Sequence, residues 1–135
     1  MTSTITLAGA DKAIEAGKAK AAELGIAFTI AIVDAAANLV AFSRQDGAAL
    51  ASVESSQAKA RTSVYFGAPS KDLGCGVQPG APMFGNESGF RDPLAFVGGA
   101  VPVTDADGRL IGAVGVGGGY PDQDHEVAEA IRHAL

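Results

Sequence analysis

Residues 112–131 read GAVGVGGGYPDQDHEVAEAI. An apolar, β-favouring run passes through three consecutive glycines into an acidic segment with helical spacing, and the fold turns on whether those glycines cradle a phosphate. A dinucleotide fingerprint needs G-x-G-x-x-G opening a helix within a βαβ unit. Gly115 and Gly117 fill its first two positions, but Tyr120 stands at the third. Asp122, Asp124 and Glu126 follow in the first helical turn, where they answer the helix dipole and repel a phosphate. The Rossmann reading fails. Gly117, Gly118 and Gly119 read instead as backbone that turns sharply or lies against another segment with no Cβ between, as do Gly98 and Gly99.

Working outward, LAFVGGAVPV (94–103) and RLIGAVGV (109–116) form a hairpin around TDADG, in which Asp107-Gly108 is a turn signal. AFTIAIVDA and LVAFSRQ, separated by Ala36, Ala37 and Asn38, predict an antiparallel hairpin over 27–45. A helix runs from an N-cap at Thr6 to a C-cap at Gly25, with Leu7, Ala10, Ile14, Gly17, Ala21 and Leu24 at helical spacing. In SVESSQAKARTSVYFG (52–67), Val53, Gln57, Ala60 and Val64 share the face of a second helix, stopped by Gly67 and Pro69. Residues 67–93 carry turn formers every few positions and leave room for one short helix near Ser70 to Leu73. A loop this long is commonly functional or ordered by a partner. A third helix follows the glycine run. The order α-β-β-α-loop-β-β-α, without a βαβ crossover, predicts one α+β domain over 1–135, an antiparallel sheet flanked by helices.

Composition narrows the function. Of 135 residues, 47% are hydrophobic and 19% charged, richer in apolar groups than an average soluble domain, which points to self-association. A net charge of −5 with scattered basic residues argues against nucleic acid. No apolar run approaches the roughly 20 residues that cross a bilayer, and MTSTITLAGADK has no basic-then-apolar leader, so no membrane partner and a cytoplasmic location are expected. The single cysteine, Cys75, excludes an internal disulfide and a multi-cysteine metal site.

Four blocks together, AIVDAAANLVAFSRQDGA, SVESSQAKARTS, FVGGAVPV and GAVGVGGGYPDQDHEVAEA, resemble the GlcG/HbpS family in order and spacing over nearly the whole chain. The resemblance implies a profilin-like α+β fold and a homo-oligomer, from a dimer up to rings or octamers. It also implies haem or corrinoid binding, as in several relatives, while other relatives sit beside catabolic enzymes. An N-terminal histidine that ligates haem in some relatives has no counterpart, because His125 and His133 are the histidines of this chain.

The candidate site residues follow from side-chain chemistry. Arg44 can grip a ligand carboxylate or a haem propionate in bidentate fashion, with Asp46 projecting beside it. Lys59 lies one helical turn from Ser55 and Ser56 and can serve as a ligand or as an acid or base, or form a salt bridge with Glu54 or Asp34. Gly98 and Gly99 permit close approach of a ligand; Met83 and Phe84, with Phe90 and Phe96, offer apolar surface to a flat one. The leading expectation is a small-molecule-binding protein with haem or a related tetrapyrrole as ligand, its pocket formed by the long loop, helix two and the Gly98-Gly99 strand. The alternatives are an accessory oligomer without ligand and an enzyme. The enzyme, a hydrolase, lyase or isomerase, would act on a small unsaturated carboxylic acid, with Arg44 as clamp, Lys59 as acid or base, and Asp46 or Glu54 orienting it. No metal site is expected, since the two histidines stand eight residues apart. Cys75 lacks a neighbouring base and reads as inert, and Asp34 reads as a turn cap.

Overall fold

The computed structural model describes residues 3–135. Helix α1 (Leu7–Leu24) starts where Thr6 Oγ1 accepts from the Gly9 amide at 3.0 Å and stops where Gly25 turns left-handed, as local capping chemistry requires. Strands β1 (Thr29–Asp34) and β2 (Leu39–Arg44) are joined by a turn that Asp34 closes. Its Oδ1 accepts from the Ala36 and Asn38 amides, both at 2.9 Å. Helix α2 (Ala51–Phe66) ends at Gly67, and β3 (Ala100–Thr104) and β4 (Leu110–Gly117) precede helix α3 (Pro121–His133).

The four strands form one antiparallel sheet in the order β2-β1-β4-β3. Helices α1 and α3 cover one face, where Ile14, Val127 and Ile131 join Ile30, Ile32, Val114 and Val116 in the main core. Helix α2 covers the other face, along a stripe that only partly matches its sequence reading. Ala60 and Val64 are buried as expected, Val53 and Gln57 are half-buried, and the buried set also takes in Ser52, Ser56, Ala58, Lys59, Thr62 and Ser63. Small residues suit this face because the sheet beneath lies very close. A Cβ on Gly115 would stand 2.1 Å from the Ser56 carbonyl oxygen and 2.8 Å from Ala60 Cβ, so only glycine lets the helix settle there. Among the described residues no helix is long and apolar enough to cross a membrane.

Two stretches differ from their sequence reading. The run from Leu94 does not pair as a strand until Ala100. At its start the chain bonds to α2 instead: Arg61 Nη1 donates to the preceding Pro93 carbonyl, and the Ala95 amide donates to Thr62 Oγ1 at 2.9 Å; at its end the Gly99 carbonyl accepts from the Val116 amide of β4 at 2.8 Å. The long loop contains two 3-10 turns, Ser70–Val77 and Asn86–Gly89, where one short helix was expected. It is pinned to the end of α2 by Phe90 against Tyr65 and Phe66, and by Phe96 against Phe66.

Antiparallel pairing puts both hairpin turns at one end of the sheet. The other end gathers the start of β1, the ends of β2 and β4 and the start of β3, since Thr29 pairs with Arg44 and Gly117, and Gly115 with Ala100. Arg44, Gly117–Gly119 and Gly98-Gly99 therefore share that end.

Candidate functional site

The strongest polar feature at this end of the sheet is a buried ion pair. Lys59 on α2 is 3% exposed and Asp124 in the first turn of α3 is 1% exposed. Lys59 Nζ donates to Asp124 Oδ2 at 2.7 Å and to the Val116 carbonyl at 3.2 Å, bridging helices on opposite faces of the sheet. The sequence reading offered Glu54 or Asp34 as salt-bridge partners for Lys59. The partner is Asp124, because Glu54 is exposed on the outer side of α2 and Asp34 is committed to its hairpin turn at the far end of the sheet.

Asp124 was expected to answer the helix dipole. It is instead drawn inward, and its Oδ1 accepts from the Gly119 amide at 2.8 Å, which ties the glycine run to α3. Burial pushes its carboxyl above the ordinary carboxylate range, against the pull of the Lys59 ammonium and the Gly119 amide, which favour the charged form. The surface part of the cap falls to Gln123, whose Oε1 accepts from the Tyr120 amide at 2.9 Å.

Gly99 shows why the sequence needs glycine beside this pair. It has φ 137°, and a Cβ there would lie 2.6 Å from the Val116 carbonyl oxygen and 2.8 Å from Lys59 Cδ and Nζ. The lysine stem runs through the space a side chain would fill. Gly99 is thus backbone that admits Lys59, whereas a Cβ on Gly98 would stand 3.0 Å from the Pro121 carbonyl oxygen.

A cavity of about 210 Å³ opens onto the pair, lined by Ala49, Ala51, Ser52, Ser55, Val97, Gly118, Gly119 and Pro121 as well as by Lys59 and Asp124. Ser52 is occupied: its hydroxyl donates to the Ala49 carbonyl and lies 2.7 Å from Thr29 Oγ1. Ser55 faces both this cavity and a neighbouring groove. Among the described residues none of the 67–93 loop lines the cavity, contrary to the sequence reading; Val97, from the run that follows the loop, does. Met83 packs against Gly76 and Phe84 is 62% exposed, so neither lines it.

The remaining candidates lie elsewhere. Arg44 and Asp46 border an open cleft of about 540 Å³ together with Lys18, Ala21, Ala22, Ile26 and Ala27, and Arg44 Nη2 donates to the Ala48 carbonyl at 3.1 Å. Glu54 faces the third concavity, about 420 Å³, with Gln57, Arg61 and Pro93. Arg44 and Asp46 are thus brought together, while Lys59 and Glu54 each face a different space. Since Arg44 and Gly117 both pair with Thr29, two strand spacings of ~4.8 Å, about 10 Å in all, separate their backbones.

His125 and His133 flank Glu129, with Nε2 to carboxylate distances of 3.8 and 4.0 Å. Burial and then the charge of Lys71 hold His125 below the ordinary histidine range, against the pull of Glu129, Asp72 and Asp122, and its Nδ1 is buried without a hydrogen-bond partner among the described residues. Cys75 is exposed, its Sγ 3.9 Å from the Asp72 carbonyl. Sequence reasoning missed Asp124 as Lys59's partner and Lys18 as Arg44's neighbour. Asp124 sits on a buried position of α3, four before Ala128 and seven before Ile131, and that periodicity is the signal that marks it as inward-facing.

Comparison with known proteins agrees with this architecture. The chain is 36% identical over 126 residues to an uncharacterized 15.0 kDa protein from the dhaT-dhaS intergenic region of Citrobacter freundii, spanning 93% of this chain and 88% of that protein. The crystal structure of Klebsiella pneumoniae protein ORFY matches with a TM-score of 0.94 at 30% identity, over 99% of this chain and 92% of that one. The crystal structure of a PduOC:heme complex matches with a TM-score of 0.91 at 29% identity, over 98% of this chain and 96% of that one. A family model described as haem degrading protein HbpS-like matches residues 5–132, and the chain belongs to this HbpS-like family.

Proposed function

We propose that the protein binds a haem or a related tetrapyrrole, gripped in the Arg44 cleft by the ligand's carboxylates. The observation that carries this reading is the cleft itself. Its volume of about 540 Å³ falls within the roughly 300–1,000 Å³ of small-molecule sites. Two cations, Lys18 and Arg44, stand on its wall, and Ala21, Ala22, Ile26 and Ala27 supply apolar surface. Arg44, held by the Ala48 carbonyl, and Lys18, whose Nζ also reaches Glu15 at 3.2 Å, stand beside an apolar patch and suit a flat molecule with paired propionates. The similarity to a structure solved with heme supports the same ligand class.

The fit extends to the ligand's periphery. Among the described residues no histidine, cysteine, methionine or tyrosine lines the cleft, so the residues that would hold the group are Lys18 and Arg44, and no axial donor is assigned. The enzyme reading with Arg44, Asp46, Lys59 and Glu54 in one site has less support, because those residues face three separate concavities. Assembly into a homo-oligomer is part of the proposal. Leu39 and Phe42, exposed on edge strand β2, are suited to a subunit contact.

The test is a titration of the protein with haemin and, in parallel, with iron-free protoporphyrin IX. Both should saturate with similar affinity, and Arg44→Ala or Lys18→Ala should weaken both about tenfold, the lower end for a charged hydrogen bond in an open cleft. Haemin binding that survives both substitutions and vanishes in His125→Ala would overturn the assignment.

A further inference from the structure

We propose that the Lys59–Asp124 cavity is a second binding site, separate from the Arg44 cleft, that takes a small neutral carbonyl compound, a ketone or aldehyde with about seven non-hydrogen atoms at most. Four observations carry this inference.

The first is a donor without an acceptor. A lysine ammonium has three N–H groups. Lys59 places one on Asp124 Oδ2 and one on the Val116 carbonyl, and among the described residues no acceptor lies within reach of the third. Lys59 lines the cavity, and the third N–H has space on that side. A buried ammonium proton left unmatched is costly, and an acceptor in the cavity removes the cost.

The second is a matching hydroxyl. Ser55 lies four residues before Lys59, hence one turn away on the same helix face, and it lines the same cavity. Its hydroxyl has no partner among the described residues, in contrast to Ser52 and Ser56, which donate to the Ala49 and Val53 carbonyls. One carbonyl oxygen has two lone pairs and can accept from the ammonium and the hydroxyl together.

The third is charge. The ion pair is neutral as a unit, so an uncharged acceptor adds no charge beside two side chains that are themselves 3% and 1% exposed. A carboxylate of equal size would bring a second negative charge next to Asp124, and in a low-dielectric setting that repulsion is strong. The site therefore selects carbonyl over carboxylate.

The fourth is size and lining. About 210 Å³ is space for roughly seven waters at ~30 Å³ each, too little for a macrocycle. Ala49, Ala51, Val97 and Pro121 form an apolar wall suited to a short alkyl group. A carbonyl seated with its oxygen on Lys59 would be polarised by the ammonium, the arrangement that activates carbonyls in enzymes.

The experiment uses butanone and propionate as probes, which have the same number of non-hydrogen atoms and differ in charge. Each is titrated into the ¹⁵N-labelled full chain at pH 7 while amide shifts of Ser52, Ser55, Val97, Gly118 and Gly119 are followed. Butanone should give saturable shifts with a Kd of order 1–10 mM, as expected for five heavy atoms, and propionate should bind at least tenfold more weakly. Ala51→Trp, an exposed position whose new side chain would fill the cavity, should abolish the butanone response while the melting temperature holds. Ser55→Ala should weaken it several-fold. The inference is overturned if butanone shows no saturation up to about 50 mM, if its shifts persist in Ala51→Trp, or if propionate binds equally well.

Discussion

Lys59→Met keeps the length of the stem and removes the charge, leaving Asp124 buried at 1% exposure with its Oδ2 facing an apolar group. Breaking a buried pair by removing one partner typically costs about 3–5 kcal/mol, because the remaining charge is uncompensated. For a chain of this size that corresponds to a fall in melting temperature of roughly 10–20 °C at pH 8. The loss should depend on pH, with a sign set by Asp124. Burial already lifts its carboxyl, and of the groups opposing that lift Lys59 disappears while the Gly119 amide stays, so the carboxyl rises further. A carboxyl whose folded pKa lies above its unfolded value contributes stability in full below about pH 4 and loses it as pH climbs through the folded value. The variant should therefore be nearest to the unsubstituted protein at pH 4–5 and furthest from it at pH 8. Thermal unfolding followed by circular dichroism at pH 5 and pH 8, at fixed ionic strength, measures both quantities. The double variant Lys59→Met/Asp124→Asn should recover much of the loss and flatten the pH dependence, because Asn Oδ1 still accepts from the Gly119 amide. A drop below about 3 °C at pH 8, or equal losses at the two pH values, would refute the reasoning.

Two further outcomes are expected. Gly99→Ala puts a methyl group within 3 Å of the Val116 carbonyl and of Lys59 at a backbone angle that L residues rarely adopt; it should destabilise by at least ~2 kcal/mol in urea unfolding and displace the ion pair. Cys75→Ser should change stability by less than about 0.5 kcal/mol and leave tetrapyrrole binding intact, and the native thiol should react with a chromogenic disulfide reagent without denaturant.

Much of the fold was legible in the sequence because its signals act within a few residues. Thr6 and Gly25 bound α1 through hydrogen bonds and a left-handed turn that involve their own neighbourhood, and Asp34 closes the β1–β2 turn through amides two and four residues on. Tyr120 in place of a third glycine was enough to set aside a phosphate loop, and Gly99 was identified as a position of close approach, which the structure explains by the lysine beside it.

Tertiary structure decided the rest, wherever a residue's role depends on an element far away in sequence. Leu94–Gly99 has strand-favouring composition, yet the Ala95 amide bonds to Thr62 and the preceding Pro93 carbonyl to Arg61, so the chain reaches the sheet only where the Gly99 carbonyl accepts from the Val116 amide, and the strand begins at Ala100. Lys59 was a candidate from its type and its neighbouring serines, but its partner lies 65 residues away and read as an acid answering the α3 dipole. Arg44, Lys59 and Glu54 looked like parts of one site, and the sheet order β2-β1-β4-β3 assigns them to different concavities. Caps and periodicity are local energies that a short stretch of chain can express alone. Which two charges meet in the interior is set by how strands order and helices stack, and that is a property of the whole chain.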